Sequence, residues 1–107
     1  YAVAHKFTAF MCCSDYYAVT LMKYLRKRGI RFPEDLSITG FDDNLYAQVA
    51  CPPLTTIRQD ISQRGTMAAE YLIRMIDGWT PKPTSIALPV KLVVRDSVKI
   101  LNPDSQN

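Results

Sequence analysis

The sequence contains no run of eighteen or more apolar residues, so it offers no segment that would span a bilayer as a helix. Its first residues, Tyr1-Ala2-Val3-Ala4-His5-Lys6, lack the basic start and apolar run of a secretory signal. The absence of an initiator methionine points to a piece of a longer protein. Only four glycines occur, Gly29, Gly40, Gly65 and Gly78, and their wide separation excludes a glycine-rich phosphate loop. His5 is the single histidine, so a Ser-His-Asp triad would have to rely on a residue near the chain end, and none is expected. The three cysteines, Cys12, Cys13 and Cys51, form no C-x-x-C pair. Cys12 and Cys13 read as small buried hydrophobes rather than as a redox pair or metal ligands, and unpaired thiols suit a reducing cytoplasm. No metal and no cofactor is expected, and there is no internal repeat or low-complexity tract.

What is present is an ordinary folded composition. The 107 residues suit one small domain or part of a larger one, and 48% hydrophobic against 21% charged residues argues against long disorder. A net charge of +3 is below the footprint of a nucleic-acid-binding module. The positive charge gathers at Lys23, Arg26, Lys27, Arg28 and Arg31, which reads as a solvated helix end, since Leu25 and Ile30 interrupt it and no aromatic platform accompanies it.

Apolar runs alternate with amphipathic stretches, the pattern of an α/β fold with an open, mostly parallel sheet. Phe7–Cys13 predicts a buried strand and Tyr16–Arg28 a helix, with Ala18, Leu21, Met22 and Leu25 on its core face. Ser14 or Asp15 is placed to cap that helix and Gly29 to close it. Leu36–Phe41 reads as the next strand, Asn44–Ala50 as a short helix, and Leu54–Arg58 as a third strand after the helix-stopping Pro52-Pro53. Asp60 and Gln63 resemble a capping box for a second long helix, Ile61–Asp77, whose apolar stripe is Ile61, Ala68, Leu72, Met75 and Ile76. One or two strands follow within 86–98, with a break near Pro89, and the tail from Asn102 is expected to fray.

In an open sheet, ligands sit beyond the carboxyl ends of the strands. That rule selects Ser14-Asp15, Asp42-Asp43 and Gln59-Asp60, each a polar pair placed after an apolar strand. Carboxylates accept several hydrogen bonds and side-chain amides both donate and accept, which suits a ligand rich in hydroxyls. The same residues also suit helix caps and turns, so residue chemistry alone stops at an α/β domain with a polar cleft.

Three ordered motifs carry a resemblance. The run Phe7-Thr8-Ala9-Phe10-Met11-Cys12-Cys13-Ser14-Asp15, then Ala18 and Leu25-Arg26-Lys27-Arg28-Gly29, is followed by Phe32-Pro33-Glu34-Asp35-Leu36-Ser37-Ile38-Thr39-Gly40-Phe41-Asp42-Asp43. Next comes Pro52-Pro53-Leu54-Thr55-Thr56-Ile57-Arg58-Gln59-Asp60, with Gly65, Ala68-Ala69 and Leu72 in the helix beyond. From Phe7 to Val98 the chain resembles the effector-binding domain of LacI/GalR-type bacterial transcription regulators.

The resemblance implies a periplasmic-binding-protein-like, doubly wound fold, here a partial domain. Residues 1–58 would belong to its C-terminal subdomain, the helix within 59–85 to its N-terminal subdomain, and 86–101 would cross back. The helix-turn-helix that reads operator DNA would lie outside the chain. Asp42 stands at the family's effector-binding aspartate and Gln59 at a cleft position near the hinge. Ser14 stands where many members carry a ligand-contacting asparagine, a departure that leaves the ligand's identity open. Homodimers of the family pair through regions that here nominate Val19, Lys23, Tyr46, Val49 and Ala50. The expected function is an allosteric sensor of a sugar or similar small hydroxylated molecule, acting as a repressor in the cytoplasm and not as an enzyme. A periplasmic sugar-binding protein of a transport system is the alternative.

Overall fold

The computed structural model describes residues 6–102. His5, and the tail beyond Asn102, lie outside the described residues. The chain divides into two units, one comprising the residues up to Arg58 and those from Leu92 onward, the other Gln59–Lys91.

In the first unit, β1 (Ala9–Met11) pairs in parallel with β2 (Ser37–Thr39), placing Ala9 opposite Ser37, Phe10 opposite Ile38 and Met11 opposite Thr39. Parallel strands need a long connection, and α1 (Asp15–Arg26) supplies it. Its buried Ala18 and Met22, one helical turn apart, meet Phe32, Leu36, Ile38, Ala47 and Leu54 in a single small core. Each large side chain there contributes about 1.5–3 kcal/mol by leaving water. Lys27 caps the C-terminus of α1, and Gly29 then takes the left-handed φ of +83°. The short helix α2 (Leu45–Val49) packs on α1 and is capped by Asn44, whose side chain accepts from the Tyr46 amide at 3.0 Å.

The strand β3 (Thr56–Gln59) pairs with β4 (Val90–Val93), and these two strands are the connections between the units. Isolated parallel bridges, Thr39 to Thr55 and Asp42 to Arg58, join the β3 segment to the far edge of β2. Buried Ser97 stitches the same seam. Its carbonyl accepts from the Ile38 amide at 2.9 Å, and its hydroxyl accepts from the Thr55 amide at 2.9 Å while donating to the Ile38 carbonyl at 2.6 Å.

The second unit is built on α3 (Ile61–Ile76), capped by Asp60, whose carboxylate accepts from the Gln63 amide at 2.8 Å. Gly78 follows with φ +89°. Tyr71, Arg74 and Trp79 form a small cluster: Trp79 meets Tyr71 edge to face and lies under the Arg74 guanidinium. No residue of α3 is buried, and Leu72 and Ile76 are 60% and 77% exposed.

The elements are shorter than their sequence pattern. A strand counts only where a neighbour pairs with it, so Phe7–Cys13 contracts to Ala9–Met11 and Leu36–Phe41 to Ser37–Thr39. The third strand shifts to Thr56–Gln59, and the region after Pro89 contains a single strand among the described residues.

Candidate functional site

Two loops at the carboxyl ends of β1 and β2 lie side by side, because the Asp15 amide donates to the Phe41 carbonyl at 2.9 Å. That bond brings Ser14 and Asp42 onto adjoining loops. Ser14 is the N-cap of α1, its hydroxyl accepting from the Tyr17 amide at 3.4 Å. Asp15 is therefore not the cap. It is the first residue of the helix, and its carboxylate turns inward and is fully buried. One oxygen accepts from the Thr56 hydroxyl at 2.5 Å and the other from the Asn44 amide at 2.9 Å. A buried carboxylate needs such partners, and these two tie the β1 loop to the β2 loop and to β3. Gly40 lies directly beneath this carboxylate, which explains the glycine of the Gly40-Phe41-Asp42-Asp43 motif.

The turn after Gly40 is strained. Asp42 has φ +113° and Asp43 φ +55°, values that non-glycine residues adopt rarely. Such strain, of order 1–3 kcal/mol per residue, persists where surroundings enforce it and clusters at binding sites. Here the Asp42 amide donates to the Ile57 carbonyl at 2.8 Å, fixing the turn against β3. The Asp43 side chain is nearly fully buried, with Arg58 Nε at 2.5 Å from one oxygen and an Arg95 guanidinium nitrogen at 2.6 Å from the other. Burial pushes its carboxyl up, but the hydrogen bonds from Arg95 and Arg58 outweigh burial and hold it below the usual carboxylate range.

Gln59 follows Arg58 directly and opens the second unit. Its side-chain oxygen accepts from Arg64 on α3 at 2.7 Å, and it lines a recess of about 250 Å³ with Asp60, Arg64, Leu88 and Val90. In the first unit, a largely apolar hollow of about 490 Å³ is lined by Met11, Cys13, Phe41, Ile57 and Leu92 among others. Neither Ser14 nor Asp42 lines it, although each directly follows a residue that does.

Val19, Lys23, Val49 and Ala50 share a shallow groove with Met22 and Arg26 between α1 and the end of α2. Tyr46 is half exposed and meets Tyr16 edge to face, with ring centroids 5.6 Å apart. The cysteines correct one expectation: Cys13 is exposed rather than buried, because it lies past the end of β1, and only Cys12 packs against the core. Burial, followed by the neighbouring Cys13, pushes the Cys12 thiol up. Among the described residues no group of three or more His, Cys, Asp or Glu is placed to hold a metal, and no helix is long and apolar enough to cross a membrane.

Arg58, Arg95, Thr56 and Ser97 were not singled out as site residues by sequence. Asp43 was selected only as part of the Asp42-Asp43 pair after Gly40-Phe41, with the ligand role placed on Asp42 alone.

Parallel strands with helical crossovers and polar loops at the strands' carboxyl ends define an α/β class. Residues 2–98 match the model of the periplasmic binding protein-like domain. The chain is 41% identical over 93 residues to the arabinose metabolism transcriptional repressor of Geobacillus stearothermophilus, covering 86% of this chain and 26% of the repressor. Among solved structures, it is similar to the transcriptional regulator CelR in complex with cellobiose, with TM-score 0.80 and 34% identity, covering 88% of this chain and 29% of that one. It is equally similar to a periplasmic binding protein/LacI transcriptional regulator of Alkaliphilus metalliredigens complexed with D-xylulofuranose, with TM-score 0.80 and 31% identity, covering 88% and 35%. The chain belongs to the periplasmic binding protein-like domain family, in the form found in LacI/GalR-type regulators. It spans about a quarter of the length of the curated repressor it matches, 26%.

Proposed function

We propose that this chain is part of the effector-sensing domain of a bacterial transcriptional repressor, that it binds a sugar or similar hydroxylated molecule, and that it acts in the cytoplasm without catalysing a reaction. The observation that carries the reading is the strained Asp42, held beside Ser14 at the carboxyl ends of two parallel strands. Asp42 would accept hydrogen bonds from ligand hydroxyls, charge-assisted bonds worth about 1.5–3 kcal/mol each. Ser14 and Gln59 would add neutral hydrogen bonds, Ser14 through the hydroxyl's capacity beyond its capping bond.

The sugars in the names of the relatives, arabinose, cellobiose and D-xylulofuranose, favour this ligand class. That these relatives are named as regulators favours this reading over a transport-system binding protein. The second unit would belong to the other lobe of the effector domain, which accounts for the uncovered apolar stripe of α3. β3 and β4 would then form the hinge, and a ligand would shift the balance of lobe arrangements by its differential affinity for them. The face holding Val19, Lys23, Tyr46, Val49 and Ala50 would pair two copies, and operator DNA would be read by a segment outside this chain.

Calorimetry of the intact protein against L-arabinose, cellobiose and D-xylulose tests the reading. Binding of at least one sugar is expected, with Asp42→Ala weakening it by tenfold or more while the protein stays folded. Unchanged affinity in that variant removes Asp42 from the site.

A further inference from the structure

The carboxylate of Asp43 splits its two oxygens between two distant segments, Arg58 on β3 and Arg95 just beyond β4. These are the places where the chain leaves the first unit and where it has just returned: Arg58 is its last residue before the crossing, and Leu92 its first after it. Arg95 is fixed further, its amide donating to Thr55 Oγ1 at 2.9 Å and its guanidinium to the Leu54 carbonyl at 3.0 Å. The same carboxylate is borne by the residue after Asp42, within the turn whose φ angles are +113° and +55°.

We infer that Asp43 is a positioning residue, a pin that fastens both inter-unit connections to the turn presenting Asp42. A strained turn relaxes unless it is held, and two charge-assisted bonds, one to each carboxylate oxygen, hold this one. The pin couples the attitude of Asp42 to the anchoring of both connections through one buried carboxylate. The role in ligand binding rests on the sensor reading. The mechanical role does not.

Asp43→Asn is the informative variant, because asparagine keeps the shape and tolerates a positive φ while removing the charge. Amide hydrogen exchange of the intact protein, without any sugar, is the first measurement. The Asp42 and Arg95 amides and those of β3 and β4 are expected to exchange about tenfold faster or more, with Ala18–Met22 in α1 unchanged. No change at Asp42 and Arg95, or an equal rise throughout the first unit, overturns the pin. Should Asp43→Asn fail to fold, Arg58→Gln removes the more exposed partner. It is expected to loosen β3 and the Asp42 turn while leaving Arg95 protected, and unaltered exchange at the turn overturns the inference.

Calorimetry with L-arabinose, cellobiose and D-xylulose is the second measurement. Any sugar that the parent protein binds is expected to bind Asp43→Asn about tenfold more weakly. If the parent binds none of the three, the sensor reading fails on this panel and the exchange result alone decides the pin.

Discussion

The Cβ that an alanine would place at position 40 falls 2.3 Å from Asp15 Oδ1, 2.7 Å from Leu54 Cδ2 and 3.0 Å from the Asp15 Cα. A flexible side-chain tip could swing aside, but the Asp15 carboxylate is committed to Thr56 and Asn44, and its backbone is anchored through Phe41. Gly40→Ala is therefore expected to lower stability by about 3 kcal/mol, the upper part of the range for overpacking. A shift of the urea midpoint checks this, and a midpoint unmoved from the parent's would contradict the packing described for Asp15. Residue roles of this kind were poorly legible in the sequence. Asp15 offered itself as a cap because it opens a helix, and its real partners, Thr56 and Asn44, lie 41 and 29 residues away. Arg95 is 52 residues from Asp43. Local pattern carries no information about pairings at that separation.

At the scale of elements, helices were read more faithfully than strands. A helix satisfies its own hydrogen bonds, so its periodicity, its N-caps Ser14 and Asp60, and the left-handed glycines that follow it, Gly29 and Gly78, are written in nearby residues. A strand ends where its neighbour ends, and the neighbour lies elsewhere in the chain. The turn at Asp42-Asp43 is an element whose stability depends on charge. Asp43 has its carboxyl below the usual range near about 4. Its contribution is thus complete above that value and is lost as pH falls through its lowered one. Asp35, at the surface, shifts in the same sense, to about 2, chiefly through its hydrogen bond from Arg31. Acid unfolding of the parent is expected to deepen below about pH 4, with a shallower loss in Asp43→Asn. Denaturant titrations at a series of pH values measure it, and identical pH profiles would contradict the charge pairing.

The whole molecule explains what neither residue nor element does. α3 carries the apolar stripe read from sequence, yet the structure leaves it uncovered, which is intelligible if it is one face of a lobe whose remainder lies outside this chain. The α1–α2 groove is a second incomplete surface, apolar at Val19 and Val49 and basic at Lys23 and Arg26. If it pairs two copies, Val49→Asp in the intact protein is expected to shift sedimentation from dimer toward monomer without unfolding it. A dimer of unchanged stability would move the interface elsewhere.

The α/β class was legible in the alternation of apolar runs and amphipathic stretches, and Ser14 and Asp42 follow β1 and β2 as read, whereas Gln59 is the last residue of β3. Whether these positions serve one ligand depends on Gln59 as well as on Ser14 and Asp42. The most direct measurement is a crystal structure of the intact protein with a sugar it has been found to bind. The expected result is ligand hydroxyls within about 2.7–3.2 Å of the Asp42 carboxylate, with Ser14 and Gln59 bordering the same ligand. A sugar seated away from Asp42, or the Asp42 carboxylate turned from it, would contradict the account.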